Sequence, residues 1–532
     1  MTAPWTAAGR GTATPPGRVR IPFPTVDEVS RHCLSDDEPE SVHIEVHLPG
    51  RVDPARLRAA FRRALLTHPR VLMREVPGRR HRRSFAWELT VEPDSDPVSF
   101  AGRGPDALAR TRARALSACP PLTLSPPMRL EVVEVDEGAV APEMSSVSAE
   151  TRTVLLLTMH HTALDAPSGL RVLATTAEQY GGADALPVTG RVRPGRSSPA
   201  PSGTGRAVRA RPVRVAPDSR PEPVRARAVG NGMVQADLPV PRRVARTGGL
   251  PPWTVNDQLL VAASLMVGRW NVSQGRPAGP VRITMPVDDR PRGTEMPMGN
   301  GTRLVEVAMT SEDPRDTDLL LGERPDPAAV ARLLRTTARR TRALKSAQGA
   351  PMGAGASLLT APLLPVGIRG VLTRGARRAA APWTSTALVT NIGRVPYALD
   401  FGDAGRATAV WFSAPARMPR GLSLAAASTG GRLHVTLRWS RALLGEAAGA
   451  DLVGLFEESL STTSLTSTGA HAPGAGPGAG IRKVDATATD AEGSSARDHA
   501  RGPGGPYHRD TPRPDPTPGG ARPTQDNHKR PS

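Results

Sequence analysis

His160 and His161 stand together just after an apolar run, Val154 to Leu157, with Asp165 four residues beyond the second. Imidazole is the side chain whose ordinary proton affinity best matches transfer near pH 7. At the exit of a buried strand, where a sheet opens, such a ring can take a proton from an alcohol or an amine. The competing reading is two histidines simply packed at a strand end. No G-x-S-x-G, P-loop or zinc spacing occurs elsewhere. The run Gly353-Ala354-Gly355 reads as a loop, not a phosphate cradle. Cys33 and Cys119 build no disulfide framework and sit in no metal-ligand spacing, so both read as ordinary thiols.

Elements that position this pair can be read on both sides of it. Ser41 to Leu48 alternates apolar and polar as a half-buried strand should. His43 and His47 share a face there, with no third ligand to make a metal site. Asp53-Pro54 supplies a cap and a first-turn proline for a helix with Leu57, Ala60, Phe61, Ala64 and Leu65 inward, ended by His68-Pro69. Met128 to Val135 predicts a strand. After the histidines, Pro167-Ser168 opens a helix that Gly181-Gly182 stops. Further helices are predicted from Thr254 to Trp270, from Asp326-Pro327 to Lys345, and around Leu452, Leu455, Phe456 and Leu460. Further strands are predicted at Val281–Val287, Ser385–Val389 and Leu433–Trp439.

At 532 residues the chain is long for one domain and fits two domains plus irregular segments. Its apolar content is 38%, below the roughly 45–50% of an ordinary globular chain, which points to folded regions diluted by disordered ones. The net charge of +19 raises nucleic-acid binding as an alternative. Ten arginines between Arg191 and Arg227 face only Asp218 and Glu222, a net of +8 in a Pro- and Gly-rich stretch. Aromatic residues are 3%, too few for a base-stacking platform, so solvated linker is the preferred reading. Only Lys345, Lys483 and Lys529 among 69 basic residues are lysine, which reflects GC-rich coding. Met1 to Arg20 lacks the apolar core of a signal peptide, and no run of about 18 apolar residues exists to span a membrane. The expectation is a soluble cytoplasmic protein.

His160-His161-Thr162-Ala163-Leu164-Asp165-Ala166 resembles the HHxxxDG signature of the condensation-domain superfamily, which includes chloramphenicol acetyltransferase. Val52-Asp53-Pro54 through His68-Pro69 is similar to the first helix of condensation domains. Asn256-Asp257, Met285 to Arg290, Gly299-Asn300 and Thr390-Asn391-Ile392-Gly393 match second-lobe landmarks in the same order. The resemblance covers about residues 20–465 apart from the linker. It implies an α/β fold of two chloramphenicol-acetyltransferase-like lobes, a pseudo-dimer with a central tunnel, plus disordered linker and tail. The expected organisation is a disordered 1–20, a first lobe at 21–185, a flexible Arg/Pro-rich linker at 186–230, a second lobe at 231–465 and a disordered tail at 466–532.

The resemblance also implies a stand-alone acyltransferase of secondary metabolism. It would move an acyl group from a CoA or phosphopantetheinyl carrier-protein thioester to a small-molecule alcohol or amine, with no tightly bound cofactor. His161 would be the general base, and His160 would orient the loop. Asp165 would hold it through an ion pair with Arg290. Asn391 would donate to the oxyanion or serve as a turn residue before Gly393. Asp400-Phe401-Gly402 is similar to a structural segment of the plant branch. Arginines 332, 335, 339 and 340 would meet the anionic donor or form a solvated helix face. Ala166 replaces the signature glycine, and a loop requiring positive φ would resist it. A degenerate member that only binds a carrier protein is therefore a further alternative.

Overall fold

The computed structural model describes residues 19–135, 151–182, 210–220, 229–242, 252–347 and 359–469, excepting 103, 105, 289, 291–295, 312, 314 and 323. The expected disordered tail past 469, the N-terminal residues before 19, the Gly353–Gly355 run and most of the Arg191–Arg227 segment lie outside the described residues.

The first part of the chain carries strands β1 (Arg20–Pro22), β2 (Ser41–Leu48), β3 (Met73–Glu75), β4 (Ala86–Leu89), β5 (Val98–Phe100), β6 (Met128–Glu134) and β7 (Thr153–His160). Its helices are α1 (Thr25–His32), α2 (Pro54–Thr67), α3 (Ala107–Ser117) and α4 (Ala166–Gly181). The second part carries β8 (Asn231–Pro239), β9 (Arg282–Val287), β10 (Arg303–Ala308), β11 (Ala387–Arg394), β12 (Ala409–Ser413), β13 (Leu422–Thr429) and β14 (Arg432–Ser440). Its helices are α5 (Val255–Ser273), α6 (Asp316–Leu321), α7 (Pro327–Ser346), α8 (Val366–Ala380) and α9 (Glu446–Gly469). No helix among the described residues is long and apolar enough to cross a membrane.

Two sheets organise the molecule. One runs β10-β9-β11-β13-β14-β8 and the other β12-β2-β7-β6-β5, while β1, β4 and β3 form a small third sheet. Strand β12 comes from the second part yet pairs antiparallel with β2, Val410 opposite Val46. The sheets therefore interlock across the expected lobe boundary, and Val410 and Phe412 join the first core. A second core gathers around α5, β9, β11, β13 and β14.

Three local features explain how these layers form. Asp53 caps α2 by accepting from Arg56 N–H at 2.6 Å, and Leu57, Ala60, Phe61, Ala64 and Leu65 are its buried face. Thr254 and Asp257 close a capping box at the start of α5. Strand β2 departs from its half-exposed expectation: every residue is buried. Its polar face is covered by α3 and β8, where the Glu45 carboxylate receives Arg112 at 2.5 Å and the Gln235 amide at 3.3 Å.

The stretch expected to be free linker is seated over residues 210–220. Ala216 N–H donates to Asn271 Oδ1 at 2.8 Å, and Trp270 Nε1–H donates to the Ala216 carbonyl at 2.9 Å. Val215 and Ala216 are buried in the second core, which is why this piece of a Pro- and Arg-rich stretch is ordered.

Candidate functional site

Strand β7 is buried along its whole length and ends at His160. Successive residues at a strand end face opposite ways, so the two imidazoles meet different surroundings. His160 is buried, and its Nδ1 accepts from Thr162 N–H at 3.2 Å. Burial pushes its pKa down to about 4, with the nearby Glu40 carboxylate acting against that shift. At pH 7 this ring is neutral and a weak base.

His161 is only half-buried and starts the turn between β7 and α4. Its Nδ1 lies 3.2 Å from the Leu164 carbonyl oxygen. A carbonyl can only accept, so the bond requires the proton on Nδ1 and leaves the lone pair on Nε2. That is the tautomer a general base needs. The backbone around it is held from two sides: His161 N–H donates to the Glu40 carbonyl at 2.7 Å, and the Asn300 amide donates to the carbonyls of His161 and Thr162, both at 2.9 Å.

Asp165 caps α4 and anchors the turn's far end. Its Oδ1 accepts from Ser168 N–H at 3.1 Å, and its Oδ2 accepts from Gly301 N–H at 3.1 Å. Arg290 Nη2 lies 2.6 Å from the same Oδ2, while Arg290 Nε reaches Asp288 Oδ1 at 2.8 Å. The Ser168 hydroxyl sits 2.8 Å from Asp165 Oδ1 and 3.0 Å from the Gly299 carbonyl. Asp165 is thus committed to holding the turn, and its carboxylate makes no bond to either imidazole.

Ala166 is the first residue of α4. Leu399 is the one described non-glycine residue at positive φ, so alanine in the signature's glycine position carries no backbone strain. Its side chain lines a cavity of about 90 Å³ together with Pro167, Leu170, Asp288, Asn391 and Tyr397. That volume is small against the roughly 300–1,000 Å³ of pockets that bury drug-sized ligands. The His161 ring is not part of the lining. Asn391 lies on β11 at a bulge, where its Oδ1 accepts from Gly393 N–H at 2.8 Å. With the amide oxygen so engaged, Nδ2 is the end left to donate.

Several residues around the turn carry no signal in their sequence spacing. Asp27 is buried on α1, where its Oδ1 accepts from Asn300 at 3.0 Å and its Oδ2 from Trp87 Nε1–H at 2.9 Å. Burial raises its pKa to about 6 despite those bonds. Glu40 pairs with Arg417. Burial alone would raise the Glu40 carboxyl, but Arg417 and the two histidines outweigh it and hold it below the ordinary value. Other sequence-level candidates are spent structurally: Arg332 pairs with Asp316, and Arg340 donates to the carbonyls of Ala308 and Thr310. His43 bonds the Ala115 carbonyl at 3.0 Å and His47 bonds Glu45 at 2.6 Å, and the described residues contain no cluster able to hold a metal ion.

No protein-family model matches the chain. Uncharacterized proteins of two Mycobacterium tuberculosis strains are each 27% identical over 452 residues, 79% of this chain and 95% of theirs. Among solved structures, the TRI3 trichothecene 15-O-acetyltransferase from Fusarium sporotrichioides matches with TM-score 0.53 at 12% identity, covering 86% of this chain and 97% of that one. The starter condensation domain of rhizomide synthetase RzmA, solved with C8-CoA and Leu-SNAC, matches with TM-score 0.51 at 14% identity, over 83% of this chain and 93% of that one. The chain therefore has the α/β fold seen in these condensation-domain and acetyltransferase structures.

Proposed function

We propose that this chain transfers an acyl group from a thioester to an alcohol or amine, with Nε2 of His161 as general base. The Leu164 hydrogen bond, which commits Nδ1 to donation and leaves Nε2 free to accept, is the observation that carries the reading. In the proposed step the acceptor O–H or N–H gives its proton to Nε2 as its heavy atom bonds the thioester carbonyl carbon. The tetrahedral oxyanion collapses, the C–S bond breaks, and the leaving thiolate takes the proton from the imidazolium. Asn391 Nδ2 is suited to stabilise the oxyanion. His160, neutral and buried, and the Asp165–Arg290 pair support the turn.

The donor class is an acyl-CoA or carrier-protein thioester. The C8-CoA bound by the rhizomide domain supports the first. The reading sets the chain in the cytoplasm, where both donors form, within secondary metabolism, with residues 21–185 and 231–465 as the two lobes. A second reading, a recruitment module that has lost turnover, is favoured by the cavity lining, which omits the His161 ring. Transfer from octanoyl-CoA and an octanoyl carrier protein to alcohol and amine acceptors, measured for wild type and His161→Ala, tests both. A loss of about 10²–10⁴ in rate is expected. A wild type that binds carrier protein while His161→Ala leaves every rate unchanged refutes the base and leaves the recruitment module.

A further inference from the structure

Helix α8 is two-faced in the opposite sense from a helix in water. Val366, Arg369, Gly370 and Thr373 form its buried face, with Arg369 neutralised by Glu28 at 3.1 Å. On the opposite arc Ile368 is 49%, Val371 62% and Leu372 47% exposed, and the preceding turn adds Leu363 at 83% and Leu364 at 42%. A surface helix ordinarily turns polar residues outward, and a contiguous exposed apolar patch marks an interaction site.

Charge surrounds that patch on two sides. Exposed Arg374 and Arg378 follow it along α8. The β3–β4 loop brings Arg79, Arg80 and Arg83 to the helix start, where Gly367 N–H donates to the Arg80 carbonyl at 2.9 Å and Val366 N–H to the Arg82 carbonyl at 2.8 Å. None of these five arginines makes an ion pair among the described residues. The adjoining carboxylate of Glu75 is taken by Arg31 and Arg82, both at 2.7 Å. The sequence contains no acidic residue between Asp326 and Asp400, nor between Glu75 and Glu88.

Leucine and isoleucine side chains rimmed by uncompensated guanidiniums complement a surface whose outer layer is phosphate and whose next layer is hydrocarbon. We propose that the α8 face docks the protein onto an anionic membrane surface, lying on the bilayer without spanning it. The proposal does not depend on the transfer chemistry.

Full-length protein sedimented with phosphatidylcholine vesicles, with and without phosphatidylglycerol, provides the test. Wild type is expected to pellet with the anionic vesicles and to be released by high salt. The double variant Ile368→Asp/Val371→Asp, altered only at exposed positions, should melt as wild type and bind at least about tenfold more weakly. Arg79→Glu/Arg378→Glu should lose about tenfold or more through charge alone. Equal distribution between the two vesicle types, or unchanged binding by both double variants, overturns the proposal. Retention of a purified acyl-carrier protein that the same variants abolish, with no vesicle binding, assigns the face to a protein and overturns it too.

Discussion

Arg290→Met removes the cation that, among the described residues, pairs with both Asp165 and Asp288. The Arg290, Asp165 and Asp288 side chains are 10%, 3% and 11% exposed, so water relieves little of any unpaired charge. Burial works against the Arg290 charge, yet Asp288 and Asp165 outweigh it and raise the guanidinium pKa. Methionine keeps most of the length and strands both acids beside each other. Stranding one buried charge costs about 3–5 kcal/mol. Asp165→Asn is milder, because its amide oxygen still accepts from Ser168 N–H and Arg290 keeps Asp288 at 2.8 Å. Loss of a charged hydrogen bond there costs about 1.5–3 kcal/mol. The expected order is wild type, then Asp165→Asn, then Arg290→Met, the last melting roughly 5–10 °C below wild type. Thermal scanning with urea midpoints measures it. A melting point for Arg290→Met within error of wild type, or above that of Asp165→Asn, refutes the two-acid account.

Acid should destabilise the protein through its buried histidines. His160 and His434 are each pushed down to about 4 by burial. Between pH 6.5 and 4 the unfolded chain binds protons that the folded rings refuse, so stability falls as pH drops, by about 3 kcal/mol for His160 alone. Asp27, raised to about 6 by burial, acts oppositely: its contribution is full below the ordinary carboxyl value and is lost as pH rises through about 6. Urea midpoints should therefore fall from pH 7 to 4.5, more steeply in Asp27→Asn; a midpoint that rises in acid contradicts the assignment. Asn391→Ala should slow transfer by about 10²–10³ with little change in KM, as expected for an oxyanion donor; a pure KM effect would make Asn391 a binding residue. Ala166→Gly should cost about 0.5–1 kcal/mol, because residue 166 is helical, while enlarging the cavity it lines; a stabilised variant would show strain that the backbone angles do not.

The unit from β7 through α4 was legible because its information is local. An apolar run makes the buried strand, and a carboxylate with a following proline caps the helix. The partners that hold the turn were only partly legible: Asn300 stands in the Gly299-Asn300 landmark, whereas Asp27 and Glu40 come from distant segments and nothing in their own neighbourhoods marks them. The same physics explains β2: alternation predicts one wet face, but whether that face stays wet depends on α3 and β8, which deliver Arg112 and Gln235 to Glu45. It also explains β12, a strand absent from the sequence reading, whose place depends on the distant β2 that sets Val46 opposite Val410. Two neighbouring histidines show the limit most sharply. Their type and spacing are identical in sequence, yet one ring is buried with its pKa near 4 and the other stays half-exposed with its Nδ1 proton fixed by Leu164. Which imidazole is equipped to accept a proton is decided by hydrogen-bond geometry, and that geometry exists only after the turn has closed onto Asp165 and Asn300.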